Sequence, residues 1–190
     1  AAQDSGTSIP GGAWMSQKLL LDLADVAEFS SCRNWRYTLH RRWDDGPTVG
    51  FIMFNPSTAD ETQDDPTIRR CIGFAQRWGY GQIVILNLFA IRGTDPRIVR
   101  NVADPIGPQN DFWIVHEMTG CRELICAWGC GQWMKGELAK RPASVLSFIR
   151  SYRNETDLPI RCLGVRQDGH PRHPLMLPYT AERVSFEVQQ

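Results

Sequence analysis

Four short, mainly apolar runs constrain the fold of this chain more than any other feature. They span residues 49–54, 83–86, 123–128 and 160–165, and each is far shorter than the roughly 18 residues that a membrane span needs. Strands without polar alternation are typical of a parallel sheet that is buried on both faces. Because helical patterns separate the runs, the sequence predicts an α/β fold.

The segments between these runs carry helix signals. Pro66 and apolar residues at helical spacing predict a helix over 66–78, and a second is expected over about 110–119. A third is predicted to begin at Gly129–Gly131, and Pro142 is predicted to divide it from a second helical piece that runs through Arg153. The four apolar runs and the helices between them predict a three-layer α/β/α sandwich around a central, mostly parallel four-stranded sheet. The alternating segment 35–43 is β-prone and predicts an additional N-terminal antiparallel strand.

The composition fits one ordinary domain that does not bind nucleic acid by bulk charge. Twenty-one basic residues balance 21 acidic ones among 190, which argues against coating of nucleic acid but leaves room for a local basic groove. Residues 1–14 are small, polar and Gly-rich, and predict a leader, a disordered arm or an artificial extension. Residues 15–190 then form a single domain, expected to be a cytoplasmic monomer with no membrane partner.

Arginine and cysteine usage adds two expectations. Arginine outnumbers lysine 18 to three, and its planar fork grips phosphate, although the codon usage of a GC-rich genome gives the same bias. The six cysteines include no C-x-x-C pair, so reduced thiols are expected, with no metal site and no cofactor.

Polar residues follow the predicted strands, where ligands bind in such sheets. Asn55-Pro56 follows the first strand, and a rigid Asn there would position a water or recognise a base edge, although Asn-Pro also forms turns. The acidic loop beyond it offers Asp60 and Asp64 as candidate bases, or as loop charge and a helix cap. Asn87 ends the second strand.

The last two strands end at glycines and histidines. Gly129 and Gly131 would present N–H groups to a phosphate, or serve only a tight turn. His170-Pro171-Arg172-His173-Pro174 places two histidines in a proline-stiffened loop, which favours a rigid donor aimed at developing negative charge. The chain has no dinucleotide, P-loop or serine-hydrolase motif.

Five segments resemble a known family. They are G-F-I-M-F-N-P-S-T-A-D (50–60), D-D-P-T-I-R-R-C (64–71), N-L-F-A-I-R (87–92), A-W-G (127–129) and D-G-H-P-R-H-P-L (168–175), and they resemble the bacterial and phage domain-of-unknown-function family 1643. More distantly, the layout is similar to the uracil-DNA glycosylase superfamily, which has a water-binding N-P or D-P motif, then a base-reading Asn, then a late His-Pro loop.

The distant resemblance implies an enzyme that flips a damaged or modified base out of DNA and hydrolyses its N-glycosidic bond. Asn55 would hold the attacking water, and Asp60 or Asp64 would polarise it or stabilise the sugar cation. His170 or His173 would donate to the departing base anion, with His170 favoured because it comes first after the strand. The residues expected to contact the base are Phe54, Pro56 and Asn87.

Two departures from the superfamily shape the remaining expectations. The strand-one motif is N-P-S-T, and the aromatic that usually stacks on the base is missing, so a bulky base is expected, with Arg69 or Trp78 as the stacking residue. The candidate DNA contacts are Arg92, Gly129, Gly131, Arg166 and Arg172 for phosphate, and Leu175 or Met176 as a wedge. The alternatives are a non-catalytic module that binds nucleic acid or a nucleotide, and an enzyme acting on free modified nucleotides in phage base hypermodification or defence.

Overall fold

Seven strands form one mixed sheet in the described part of the chain. The computed structural model describes residues 26–57, 59, 62–129, 131–152 and 158–187, so the expectations for residues 1–14 and for Asp60 lie outside it. The spatial order is β1-β2-β4-β3-β5-β6-β7. In chain order the strands are β1 (Ala27–Phe29), β2 (Arg36–Arg42), β3 (Thr48–Met53), β4 (Gln82–Asn87), β5 (Cys121–Cys126), β6 (Ile160–Cys162) and β7 (Val184–Ser185).

The neighbouring strands β4, β3, β5 and β6 run parallel to one another. They overlap the four apolar runs, and β2 pairs antiparallel with β4. The α/β class is confirmed, but the predicted sheet of four strands plus one is too small. The strands β1 and β7 also pair antiparallel at the two edges, and at three and two residues they are too short to show an alternating pattern.

Within the described residues, three α-helices connect the strands: α1 (Pro66–Arg77), α2 (Asn110–Met118) and α3 (Arg141–Tyr152). The first two match the predicted segments to within one residue. The carboxylate of Asp65 caps α1 by accepting a hydrogen bond from the Ile68 N–H at 2.9 Å. The prediction for the third helix is confirmed for its second piece, which is α3, and is wrong for the piece before Pro142. Residues 131–133 and 136–140 are short 3₁₀ turns, and Pro142 lies in the first turn of α3, the position that proline tolerates best.

Helices cover both faces of the sheet. Phe51 packs with Ile68 and Phe74 of α1, whereas its neighbour Ile52 belongs to the cluster that holds Ile114 of α2 and Val145 of α3. Adjacent residues of one strand therefore bury opposite faces, which explains why the apolar runs lack polar alternation.

The carboxyl ends of β3, β4, β5 and β6 lie at one edge of the sheet because these strands are parallel. The segments that begin at this carboxyl edge carry nearly all the candidate residues of the sequence. No helix in the described residues is long and apolar enough to cross a membrane.

Candidate functional site

A cavity of about 320 Å³ opens at the carboxyl edge of the sheet. Segments that follow all four parallel strands line it, together with the first turn of α1. The lining residues are Met53, Phe54, Asn55, Ser57, Thr67, Gly93, Thr94, Pro96, Trp128, Gly129, Trp133 and His173. This volume is near the lower end for small-molecule sites and suits a single ring system. The structure thus brings together Phe54, Asn55, Gly129 and His173 of the predicted site.

Hydrogen bonds to backbone carbonyls fix the orientation of the Asn55 side chain. Its Nδ2 donates to the carbonyl oxygens of Gly93 at 2.9 Å, Pro56 at 3.1 Å and Ile91 at 3.4 Å. A carbonyl only accepts, so the amide nitrogen must face this loop. The Gly93 N–H donates back to the Pro56 carbonyl at 2.9 Å. Asn55 therefore keeps Oδ1 as a positioned acceptor that no described residue uses.

His173 is held as a neutral hydrogen-bond donor. Its Nδ1 accepts from the Leu175 N–H at 3.3 Å, so the neutral ring carries its proton on Nε2. Burial lowers the pKa of His173, although the charge of Asp65 opposes this. Gly129 has a φ of 80°, and a Cβ there would lie 3.3 Å from the His173 Cβ, so glycine lets the two loops approach closely.

His170 has a different environment. Its Nδ1 accepts from the Trp128 Nε1–H at 3.2 Å, which again places the proton on Nε2. That Nε2 lies against Gly131, because a Cβ added there would overlap it. Gly131 therefore accommodates the His170 ring. Of the two histidines, only His173 lines the cavity. The geometry therefore favours His173 as the donor, whereas the sequence favoured His170.

Asn87 is a buried amide without partners. It ends β4, is 1% exposed, and neither its Nδ2 nor its Oδ1 forms a hydrogen bond with a described residue. Leaving such a group unpaired costs about 1–3 kcal/mol. Its register partner in β3 is Met53, which lines the cavity. A donor and an acceptor thus lie in the strand next to the cavity, although Asn87 itself is outside the lining.

Of the two acidic candidates, Asp64 is described, and it does not line the cavity. Asp64 Oδ1 accepts from Arg41 Nε at 2.8 Å, and Arg41 is only 4% exposed. A buried arginine needs such a partner, so an ion pair occupies the Asp64 carboxylate, and Asp64 lies outside the cavity lining. Asp60 lies outside the described residues.

The two predicted stacking residues also lie outside the cavity lining. Arg69 is exposed and donates to the backbone carbonyl of Asp64. Trp78 follows α1, which returns from the carboxyl edge to the start of β4, and its ring packs against Phe51 and Phe74 with centroids 6.1 Å and 5.3 Å away. The buried Pro56 supplies a carbonyl to the Gly93 loop rather than a wall of the cavity.

Trp128 and Trp133 are site residues that sequence reasoning missed. Trp128 ends the third apolar run, and Trp133 lies in the 3₁₀ turn that replaces the predicted helix. Their position in the segment that follows β5 was the available signal. The predicted helix from Gly129 gave no reason to expect Trp133 at the cavity.

A second, open depression of about 750 Å³ adjoins the cavity, since His173 lines both. Its other lining residues are Arg166, Gln167, Asp168, Arg172, Leu175, Met176 and Leu177. Met176 is 88% exposed, and Arg166 contacts Asp168 at 3.4 Å. The predicted phosphate and wedge residues of the last loop thus share one surface.

Arg92 lies elsewhere. Its guanidinium is 4.8 Å from the centre of the Phe29 ring and donates to the Arg33 carbonyl at 3.3 Å. It joins the segment after β4 to the turn between β1 and β2, apart from the surface that holds the other predicted phosphate contacts.

Metal-binding groups are not clustered in the described residues, where no set of three His, Cys, Asp or Glu side chains is placed to hold an ion. The five described cysteines are free, and burial raises the pKa of Cys121 to about 12.

Comparison with known proteins places the chain in one family. A family model described as a protein of unknown function (DUF1643) matches residues 36–175, so the chain belongs to that family. This confirms the resemblance of the five sequence segments to it. Searches of curated proteins and of solved structures gave no match.

Proposed function

We propose that this member of the domain-of-unknown-function family 1643 is a DNA glycosylase-like hydrolase. It would flip a damaged or modified base into the cavity and cleave its N-glycosidic bond. One observation carries the proposal: a fixed acceptor, Asn55 Oδ1, and the neutral donor His173 line one cavity of about 320 Å³. The order of the Asn-Pro, Asn and His-Pro motifs supports it through the resemblance to the uracil-DNA glycosylase superfamily.

Asn55 acts on the nucleophile. Its Oδ1 accepts a hydrogen bond from a water and holds that water towards the anomeric carbon of the flipped nucleotide. The water oxygen bonds to this carbon, while the carbon–nitrogen bond breaks and its electron pair leaves with the base. One proton of the water stays in the new hydroxyl group at the anomeric carbon, and the other passes to a carboxylate, for which we take Asp60.

His173 acts on the leaving group. As the bond breaks, negative charge develops on the base, and the Nε2–H donates to an exocyclic carbonyl oxygen of the base. A fixed donor stabilises this charge without reorganisation, which is the main source of catalysis at such sites. A neutral imidazole suits the role, and burial of the ring keeps it neutral.

The remaining groups recognise the substrate. The unpaired amide of Asn87, in the strand next to the cavity, would reach the edge of the base through a bridging water, with Phe54 at the side of the cavity. In the open depression, Arg166 and Arg172 would contact phosphates, and Leu175 or Met176 would fill the gap in the duplex. The proposal includes a sandwich like that of the glycosylase superfamily and a monomer that acts in the cytoplasm without metal or cofactor.

Base release from defined DNA tests the proposal. Duplexes that carry one uracil, 5-hydroxymethyluracil or 5-hydroxymethylcytosine are incubated with the protein, and alkali-labile sites are counted. Cleavage at one of these bases, lost in His173→Ala, is expected. A protein that binds these duplexes without creating such sites is a binding module, and one that releases base only from free nucleotides is a nucleotide enzyme. Either outcome overturns the glycosylase proposal.

A further inference from the structure

We propose that Trp133 is the stacking wall of the cavity, the surface on which the planar ring of the bound base lies. The inference rests on the proposed function in taking a nucleobase as the occupant. It assigns to Trp133 the role that the sequence suggested for Arg69 or Trp78, both of which lie away from the cavity.

Three aromatic residues line the cavity, and two are engaged with other rings. Phe54 is 8% exposed and meets Phe89 edge to face, with ring centres 5.3 Å apart. Trp128 is 3% exposed, packs edge to face on Phe186 at 5.5 Å and donates its indole N–H to His170. Both therefore shape the cavity, but they are almost fully buried and expose little ring surface to it.

Trp133 differs from these two. It is half-buried, packs against the core cluster beneath α2 and α3, and forms no ring pair within the described residues. The Met134 N–H donates to the Gly131 carbonyl at 2.8 Å, and Met134 itself is buried, so the turn that carries Trp133 is anchored at its end. The indole is thus held in place and partly open to the cavity.

The chemistry of stacking defines what Trp133 would recognise. Every nucleobase has a π-face, so an aromatic wall accepts any extruded base and does not choose among them. Polar groups such as Asn87 would then determine which base is bound. Trp133 would therefore contribute affinity for a base that is out of the helix, by about 10- to 100-fold over an empty position.

Two duplex probes separate base stacking from backbone binding. In the first, 2-aminopurine faces a tetrahydrofuran abasic residue, so that the base is already unpaired. In the second, tetrahydrofuran occupies both positions. The ratio of the two dissociation constants, measured by fluorescence anisotropy, gives the preference for a base. We compare the intact protein with Trp133→Ala, with Trp133→Phe and with Trp113→Ala, a tryptophan of α2 that lines a different cavity.

The expected result is a preference of about 10- to 100-fold in the intact protein that Trp133→Ala abolishes. Trp133→Phe and Trp113→Ala should keep it, and binding of the doubly abasic probe should not change. The inference is overturned if the intact protein shows no preference, if Trp133→Ala retains it, or if Trp133→Phe loses as much as Trp133→Ala. Base release decides the proposed function separately, since a non-cleaving protein can still show the Trp133-dependent preference.

Discussion

At the scale of single residues, the hydrogen bond from the Leu175 N–H decides how His173 can act. It occupies Nδ1 and leaves the Nε2–H free for a ligand, whereas Nε2 of His170 lies against Gly131. The sequence shows two equivalent His-Pro pairs and cannot separate them. The difference arises from the loop after Trp128, which brings Gly129 and Gly131 against the two rings.

His173→Ala should therefore lower the single-turnover rate of base release by about 10²–10³-fold, because one fixed donor to the leaving group is lost. Substrate binding should change far less, since the donor acts mainly on charge that develops in the transition state. His170→Ala is the matched control and should be mild. Equal effects of the two variants, or no effect of His173→Ala, would contradict the assignment.

The titration of His173 gives a second prediction. Burial lowers its pKa below the ordinary value of 6.5. Below that value the unfolded chain binds this proton more readily than the folded one, so the contribution of the ring to the free energy of unfolding falls as the pH falls. A proton NMR titration of the His173 ring should show a midpoint below 6.5. A midpoint at or above that value would show that the ring is not held neutral by burial.

At the scale of elements, α1 holds the segment that follows His173. The guanidinium groups of Arg70 and Arg77 lie 3.9 Å and 3.7 Å from the centre of the Tyr179 ring, and Arg70 also donates to the Leu177 carbonyl. The Tyr179 hydroxyl lies over Gly73, where a Cβ would overlap it. Helix and loop therefore form one unit beside the cavity.

Tyr179→Ala should lower the free energy of unfolding by about 1–3 kcal/mol, because the cation–π and aromatic contacts are lost together. Tyr179→Phe keeps the ring and should stay within about 0.5 kcal/mol of the original protein. Urea unfolding followed by circular dichroism measures both variants. If Tyr179→Ala is as stable as Tyr179→Phe, the ring does not hold the loop to α1.

The elements also show what the sequence could and could not predict. The apolar runs located β3, β4, β5 and β6, because burial on both faces leaves a local signature. Helix α1 was equally clear from Pro66 and its spacing. The strand β7 has only two residues, and it pairs with β6 through tertiary contacts that no local pattern reports. Trp133 was missed for the same reason, since its place at the cavity depends on a short irregular turn.

At the scale of the whole molecule, a net charge of zero limits how tightly DNA can be held. Arg166 and Arg172 are the two exposed arginines of the open depression. If each contacts one phosphate, replacing both by Ala should make the plot of log binding constant against log salt concentration less steep, with the magnitude of its negative slope lower by about 2. Arg92→Ala, at a residue that packs on Phe29, should leave the slope unchanged. An unchanged slope in the double variant would remove these phosphate contacts from the account.

The most direct test of hydrolysis compares the intact protein with Asn55→Ala on a duplex whose modified base the protein is expected to release. Free base and abasic sites are counted by mass spectrometry. The intact protein should produce the two products in equal amounts, and Asn55→Ala should be slower by at least about 100-fold because the water loses its acceptor. Ser57→Ala, in the same cavity wall, is the control, and circular dichroism confirms folding. Base release at the original rate by a folded Asn55→Ala variant, or no base release by the intact protein, would contradict the account.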